Sequence, residues 1–253
     1  MTDGLRDSGW LETLSGRLGA SPQSRLGLDL ARPEDRSRWW CWCRLASERD
    51  AEAKREAALR RLETDWGCSP AALVAAGPSA LAACLAEVGL RRPEPVAGSL
   101  CRAAHALVVD YEGDFERLAG AADGLEELGG GLARLAPGFG ATTVLRFLRP
   151  LRGVWPAAAE TPLAPAAWAA AQHLGWISEG AEPADGPAAF LAACAERAPD
   201  LSPDEVEFWF EALGQRACLR GRVDRCGLGA ACPARDSDGA APHDGLEGDG
   251  FAG

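Results

Sequence analysis

Leu135-Ala136-Pro137-Gly138-Phe139-Gly140-Ala141-Thr142-Thr143-Val144-Leu145-Arg146-Phe147-Leu148 is the segment from which the remainder of the chain can be read. A helical run ends at Leu135, because Pro137 lacks a backbone N–H and the two glycines disfavour continuation. Gly140 then opens a second amphipathic run whose apolar positions are Val144, Leu145, Phe147 and Leu148. The expected unit is a helix, a tight Pro-Gly-Phe-Gly turn and a second helix. The glycines let the backbone approach another group closely, and Phe139 between them is expected to pin the turn to a core. The N–H groups of Gly140, Ala141 and Thr142 begin the second helix and have no acceptor inside it, which makes them a seat for a phosphate.

Outward from this hairpin the composition is helical. Alanine and leucine dominate, and Ile177 is the only isoleucine, so β-branched strand runs are scarce and an all-α fold is expected. A chain of 253 residues can bury a sizeable core in one domain or two packed ones. No run of about 20 apolar residues is present and the N-terminus does not read as a signal peptide, so a cytoplasmic, membrane-free monomer is expected. Nine cysteines in that setting should be reduced, and clusters among them suggest a metal rather than disulfides.

The formal net charge is −11, which disfavours a polyanionic partner. Five of those charges, Asp236, Asp238, Asp244, Glu247 and Asp249, lie in a terminal stretch without Lys or Arg. The hairpin and its extension instead carry Arg146, Arg149 and Arg152 with no acid between Gly140 and Gly153. A phosphate backbone responds to the local face rather than to the total. Lys54 is the only lysine, which restricts any mechanism that needs an amine.

The pattern L-x-P-G-F-G-x-x-T resembles the helix-hairpin-helix of the endonuclease III superfamily of DNA glycosylases. The likeness continues through Phe147-Leu148-Arg149-Pro150-Leu151-Arg152-Gly153-Val154-Trp155 and from Pro162 to Trp176, and covers roughly residues 30–233. It implies a two-domain helical fold. A six-helix-barrel-like domain over 31–151 would carry the hairpin at 135–148, and a second domain would be built from 1–30 with 152–217. A cysteine loop at 218–233 and a disordered acidic tail at 234–253 would follow.

The order of helix signals fits that arrangement. A short amphipathic helix spans Trp10 to Leu18, followed by a loop. Pro33 begins a run through Trp39, Trp40, Trp42 and Leu45 that breaks near Ser47 to Asp50. Ala51 to Trp66 reads as a charged helix with Leu59 and Leu62 inward. Ser69-Pro70 and Pro78-Ser79 are helix starts, Gly89 is a stop, and Pro93 and Pro95 mark a loop before a helix from Val96 to Tyr111. A short helix from Asp114 and another from about Gly124 lead to the hairpin. Beyond it, Pro165 to Leu174, Pro187 to Ala198 and Ser202 to Ala217 are the expected helices.

The resemblance also identifies what is missing. Lyase members place a lysine two residues after the second hairpin glycine, where this chain has Thr142. Aligning the family's helix ending on His173-Leu174-Gly175 sets Leu163-Ala164-Pro165-Ala166 on its V-D-T-H segment, so the aspartate position is Ala164. Attack on the sugar C1′ needs a deprotonatable amine, and a monofunctional glycosylase needs a carboxylate to orient water and stabilise the developing charge. Glu160 is the nearest acid to Ala164, and it also reads as an exposed loop residue. Asp110, Glu112 and Asp114 read as helix-end and turn residues. Ser47-Glu48-Arg49 occupies the break where relatives keep a loop that fills the gap left by a flipped base, and Arg49 suits phosphates better than Glu48.

Cys218, Cys226 and Cys232 resemble the iron–sulfur loop that ends endonuclease III, whose spacing is C-x6-C-x2-C-x5-C. Here the spacing is C-x7-C-x5-C, one cysteine short of the four thiolates of a [4Fe–4S] cluster. Asp224, Asp236 or Cys194 could complete the set, or the loop could be a degenerate one without metal. Cys41 and Cys43, between tryptophans, read as core, and His105 and His173 as structural or surface residues.

The expected protein binds duplex DNA through phosphate contacts at Gly138, Phe139, Gly140, Ala141, Thr142 and Arg146, within the base-excision-repair superfamily, and without lyase activity. The alternatives are a catalytically inactive helical scaffold repurposed for protein interaction or regulation, and a monofunctional DNA glycosylase using Glu160.

Overall fold

The computed structural model describes residues 8–220 together with 222, 226, 228, 229 and 232. Among these residues every regular element is helical and no strand occurs. In chain order the helices are α1 (Ser8–Leu18), α2 (Pro22–Leu26), α3 (Pro33–Leu45), α4 (Glu52–Asp65), α5 (Pro70–Glu87) and α6 (Pro93–Tyr111). Then come α7 (Phe115–Gly120), α8 (Leu125–Leu135), α9 (Ala141–Leu148), α10 (Pro165–His173), α11 (Gly186–Arg197) and α12 (Pro203–Arg216). Short 3-10 turns lie at Arg149–Leu151, Pro156–Ala158 and Cys218–Arg220.

Helix starts follow from local chemistry. Proline occupies one of the first two positions of α3, α5, α6, α10, α11 and α12, where its missing N–H leaves no helical acceptor unmatched. Ser69 accepts from the Ala72 N–H, Asp114 from Glu116 and Ser202 from Glu205, each capping the helix that follows. Two boundaries differ from the sequence reading. Pro93 opens α6 instead of marking a loop, because an N-terminal proline is indistinguishable by composition from a loop proline. The stretch before Pro33 contains α2, whose Arg25 pairs with Glu52 and Glu56 of α4.

The described chain divides into two compact units. The hairpin unit is Gln23–Thr161, and the split unit joins Met1–Pro22 to Pro162–Gly253. The seam expected after residue 151 lies after residue 161. The intervening segment stays with the hairpin unit because Leu151, Trp155 and Ala158 are buried in its core and Arg152 Nε donates to the Thr161 carbonyl at 2.7 Å. The acidic tail expected over 234–253 lies outside the described residues.

In the hairpin unit the core runs from Trp39, Trp40 and Trp42 on α3 through Leu59 and Leu62 on α4 to Val144, Phe147 and Leu148 on α9. Cys41 and Cys43 are fully enclosed in it, as expected. Helix α5 is long and apolar enough, by composition, to cross a membrane, and about a quarter of it is buried, but it is not continuous. Gly77 has φ 75° and ψ 160°, and Pro78 follows, so two shorter helices meet at a kink, which restores the separate start read at Pro78-Ser79.

The split unit has its own core of Trp10, Trp176, Phe190 and Phe210, with ring centroids 5.0–6.2 Å apart. Helices α10 and α12 approach so closely that a Cβ on Gly214 would stand 1.9 Å from the Ala166 carbonyl oxygen. The alanines at 166, 167, 170 and 171 supply the small face this needs.

Candidate nucleic-acid interface

The turn between α8 and α9 is held from beneath by two independent contacts. The Phe139 ring is buried and stacks on Trp40, with centroids 3.9 Å apart and planes 4° from parallel. Phe147 meets the same indole edge-on at 5.0 Å, and Trp39 Nε1 donates to the Phe147 carbonyl at 3.2 Å. Phe139 therefore serves as the expected pin, fastening the turn to α3 and α9 together.

The second contact is polar. Arg44, near the end of α3 and buried, donates from Nε to Ser99 Oγ at 3.1 Å, and from Nη1 to Ser47 Oγ at 2.8 Å and Glu48 Oε1 at 2.7 Å. Ser99 Oγ in turn donates to the Pro137 carbonyl at 2.7 Å. Gly138 lies directly over this network with φ 98°, and a Cβ there would come within 3.1 Å of Arg44 Nε. Sequence reasoning missed both residues. Their signal was a charge at Arg44, inside a run where Trp40, Cys41 and Leu45 are buried, and a hydroxyl at Ser99 among Val96, Leu100 and Ala103.

Above these anchors, Gly140 is the N-cap of α9, with φ −72° and no side-chain cap. Gly140, Ala141 and Thr142 are exposed. No described residue accepts a hydrogen bond from their N–H groups; the first α9 amides with acceptors are Thr143 and Val144, both bonded to the Gly140 carbonyl. Three unbonded donors at the positive end of a helix dipole are an anion seat. Arg146, one turn on and half-buried, makes no hydrogen bond or ion pair with a described residue. Arg152 is enclosed in the unit and held on Thr161, so it does not extend the basic face that the sequence run suggested.

Arg49 and Arg102 are exposed and make no hydrogen bond or ion pair with a described residue, and Arg102 stands one helical turn beyond Gly98 and Ser99. Arg92 lies 3.9 Å from Glu48, whose other carboxylate oxygen meets Arg44. The acids of α8, Glu126 and Glu127, belong to its first turn, at the far end from the hairpin. The overall acidity also resides elsewhere: the hairpin unit has 18 basic and 19 acidic residues, and the rest of the chain has 8 and 18.

Lys54 Nζ donates to the Gly89 carbonyl at 3.2 Å, closing the C-terminal end of the α5 segment. Ala164 is the N-cap of α10, and its N–H donates to Glu207 Oε1 at 3.3 Å. Glu207 is a buried carboxylate reaching from α12 to the start of α10, another residue the sequence reading missed. Its signal was an acid on the inward stripe with Phe210 and Gly214. Glu160 is exposed after the 156–158 turn and has no partner among the described residues. Asp114 caps α7, and Glu112 ends α6 with φ 57°, which accounts for both as helix-end residues. His105 and His173 are exposed.

Cys194, Cys226 and Cys232 are buried in the core of the split unit, and Cys218 packs against it. Burial pushes the Cys218 thiol up to about 12, and the nearby thiols of Cys226 and Cys232 push it the same way. Among the described residues no group of three or more His, Cys, Asp or Glu side chains is arranged to hold a metal ion. Asp224 and Asp236 lie outside the described residues. The three loop thiols are one short of a four-thiolate cluster, and burial favours the protonated form of Cys218. No protein-family model matches this sequence, and no curated protein matches it.

Proposed function

We propose that this chain is a DNA-binding protein of the helix-hairpin-helix type, with an endonuclease III-like helical organisation, that grips the phosphate backbone of duplex DNA without Schiff-base chemistry. The supporting observation is the turn itself. The exposed N–H groups of Gly140, Ala141 and Thr142 lack acceptors among the described residues, on a backbone immobilised by Phe139 and the Arg44–Ser99 contacts. A phosphate at the start of α9 would satisfy these donors, and Arg146 would meet a neighbouring one. Such contacts read no base, so binding is general and salt-dependent.

The test is duplex affinity as a function of salt. Arg146→Ala is expected to lower the slope of log K against log salt by about one, the signature of a lost phosphate contact. Gly140→Ser is the more telling variant. Serine is a better N-cap, so it should raise stability by a few tenths of a kcal/mol while its Oγ competes for the N–H groups and weakens binding. Undetectable duplex binding at low salt would replace this reading with the repurposed scaffold, which the acidity of the split unit favours. Release of a damaged base, abolished by Glu160→Gln, would instead establish the glycosylase.

A further inference from the structure

The hairpin turn and the loop that ends α3 are separate in sequence but share one guanidinium. Arg44 is the only described residue that bonds to both the Ser47-Glu48 loop and Ser99, and Ser99 is the residue that bonds to the Pro137 carbonyl. Each link is short, at 2.7–3.1 Å, and both Arg44 and Ser99 are buried. The Pro137 carbonyl lies one residue before Gly138 and three before Gly140, so its position sets the direction in which the α9 amides point. Gly138 completes the arrangement, because any side chain there would displace Ser99 Oγ or the guanidinium.

From this juxtaposition we infer that Arg44 is a positioning residue for the DNA backbone contact: through Ser99 it holds the hairpin amides in their binding orientation, and through Ser47 and Glu48 it ties that orientation to the α3–α4 loop. The inference rests on the DNA-binding reading above. Arg44 contacts no phosphate in this role; its charge is matched by Glu48 at 2.7 Å. Lysine cannot replace it, since one ammonium on a flexible stem cannot serve Ser99 and the Ser47–Glu48 pair from two fixed edges.

Ser99→Ala and Arg44→Lys test this, because both preserve every charge, and Arg44→Lys leaves Glu48 a cationic neighbour so that folding is protected. Each variant, assayed well below its melting temperature, is expected to bind duplex DNA about five-fold more weakly, the worth of one hydrogen bond. The salt slope should match that of the unaltered protein, since no phosphate contact is removed. The double variant should lose less than the product of the two single losses, because both break one path. Amide hydrogen exchange over residues 136–143 should be faster in both. Lower melting temperatures with unchanged affinity and unchanged exchange would overturn the positioning role and leave the hairpin reading standing. Unaltered protein that fails to bind duplex DNA at low salt would remove that reading itself, and this inference with it.

Discussion

At Gly138 the backbone φ is 98°, and an added Cβ would stand 3.0 Å from Ser99 Oγ and 3.1 Å from Arg44 Nε. Gly138→Ala therefore combines left-handed strain with a clash against buried polar atoms that have little freedom to move. The expected cost is about 1–3 kcal/mol, read as a lower denaturation midpoint, with a larger loss of duplex affinity than Arg146→Ala causes. An equal midpoint would show that the turn relaxes around the methyl. Gly140 differs in kind: its φ is −72° and open space surrounds it, so its glycine matters for access to the amides rather than for the backbone. Cys218 poses a separate residue-scale question. Its thiol is raised to about 12, chiefly by burial, so the protonated form is the one the fold stabilises. That stabilisation is complete below the ordinary thiol range of about 8.5 and is lost as pH rises through about 12. Iodoacetamide at pH 8 should thus alkylate Cys218 in native protein far more slowly than in unfolded protein. Equal rates would mean that the thiolate forms readily in the folded state.

Among the elements, α10 and α12 cross closely, and Gly214 is the residue that permits it. Because a Cβ would lie 1.9 Å from the Ala166 carbonyl oxygen, Gly214→Ala must separate two helices along their contact. The expected destabilisation is about 3 kcal/mol or more, measurable by urea denaturation. A loss under about 1 kcal/mol would mean that the crossing opens easily. Element identity was largely legible beforehand. Trp39-Trp40 with Leu45, Leu59 with Leu62, and Val144 with Phe147 and Leu148 each repeat at helical spacing, and each set is buried. The boundaries were less legible. Pro93 begins a helix although it follows the residues of a loop, and the five residues of α2 are too few to carry a periodic signal.

For the whole molecule, the distribution of amines and carboxylates bears on chemistry. The sequence contains one lysine, and Lys54 Nζ is bonded to the Gly89 carbonyl. Borohydride treatment on an abasic duplex is accordingly expected to trap no covalent adduct. A trapped species that disappears in Lys54→Ala would overturn this. Helical class, the hairpin's position, the single lysine and the buried Cys41 and Cys43 were all contained in the order of residue types. Periodicity, prolines and glycines act through contacts a few residues long, and such contacts can be read along a chain. The network joining Arg44, Ser99 and Pro137 could not be read in this way, nor could the reach of Glu207 to the Ala164 amide or the withdrawal of Arg152 from the basic run. Those pairings span 9 to 55 residues, and burial, not spacing, forces each polar group to find a partner. Which partner it finds depends on where the helices pack, and only the assembled core sets that.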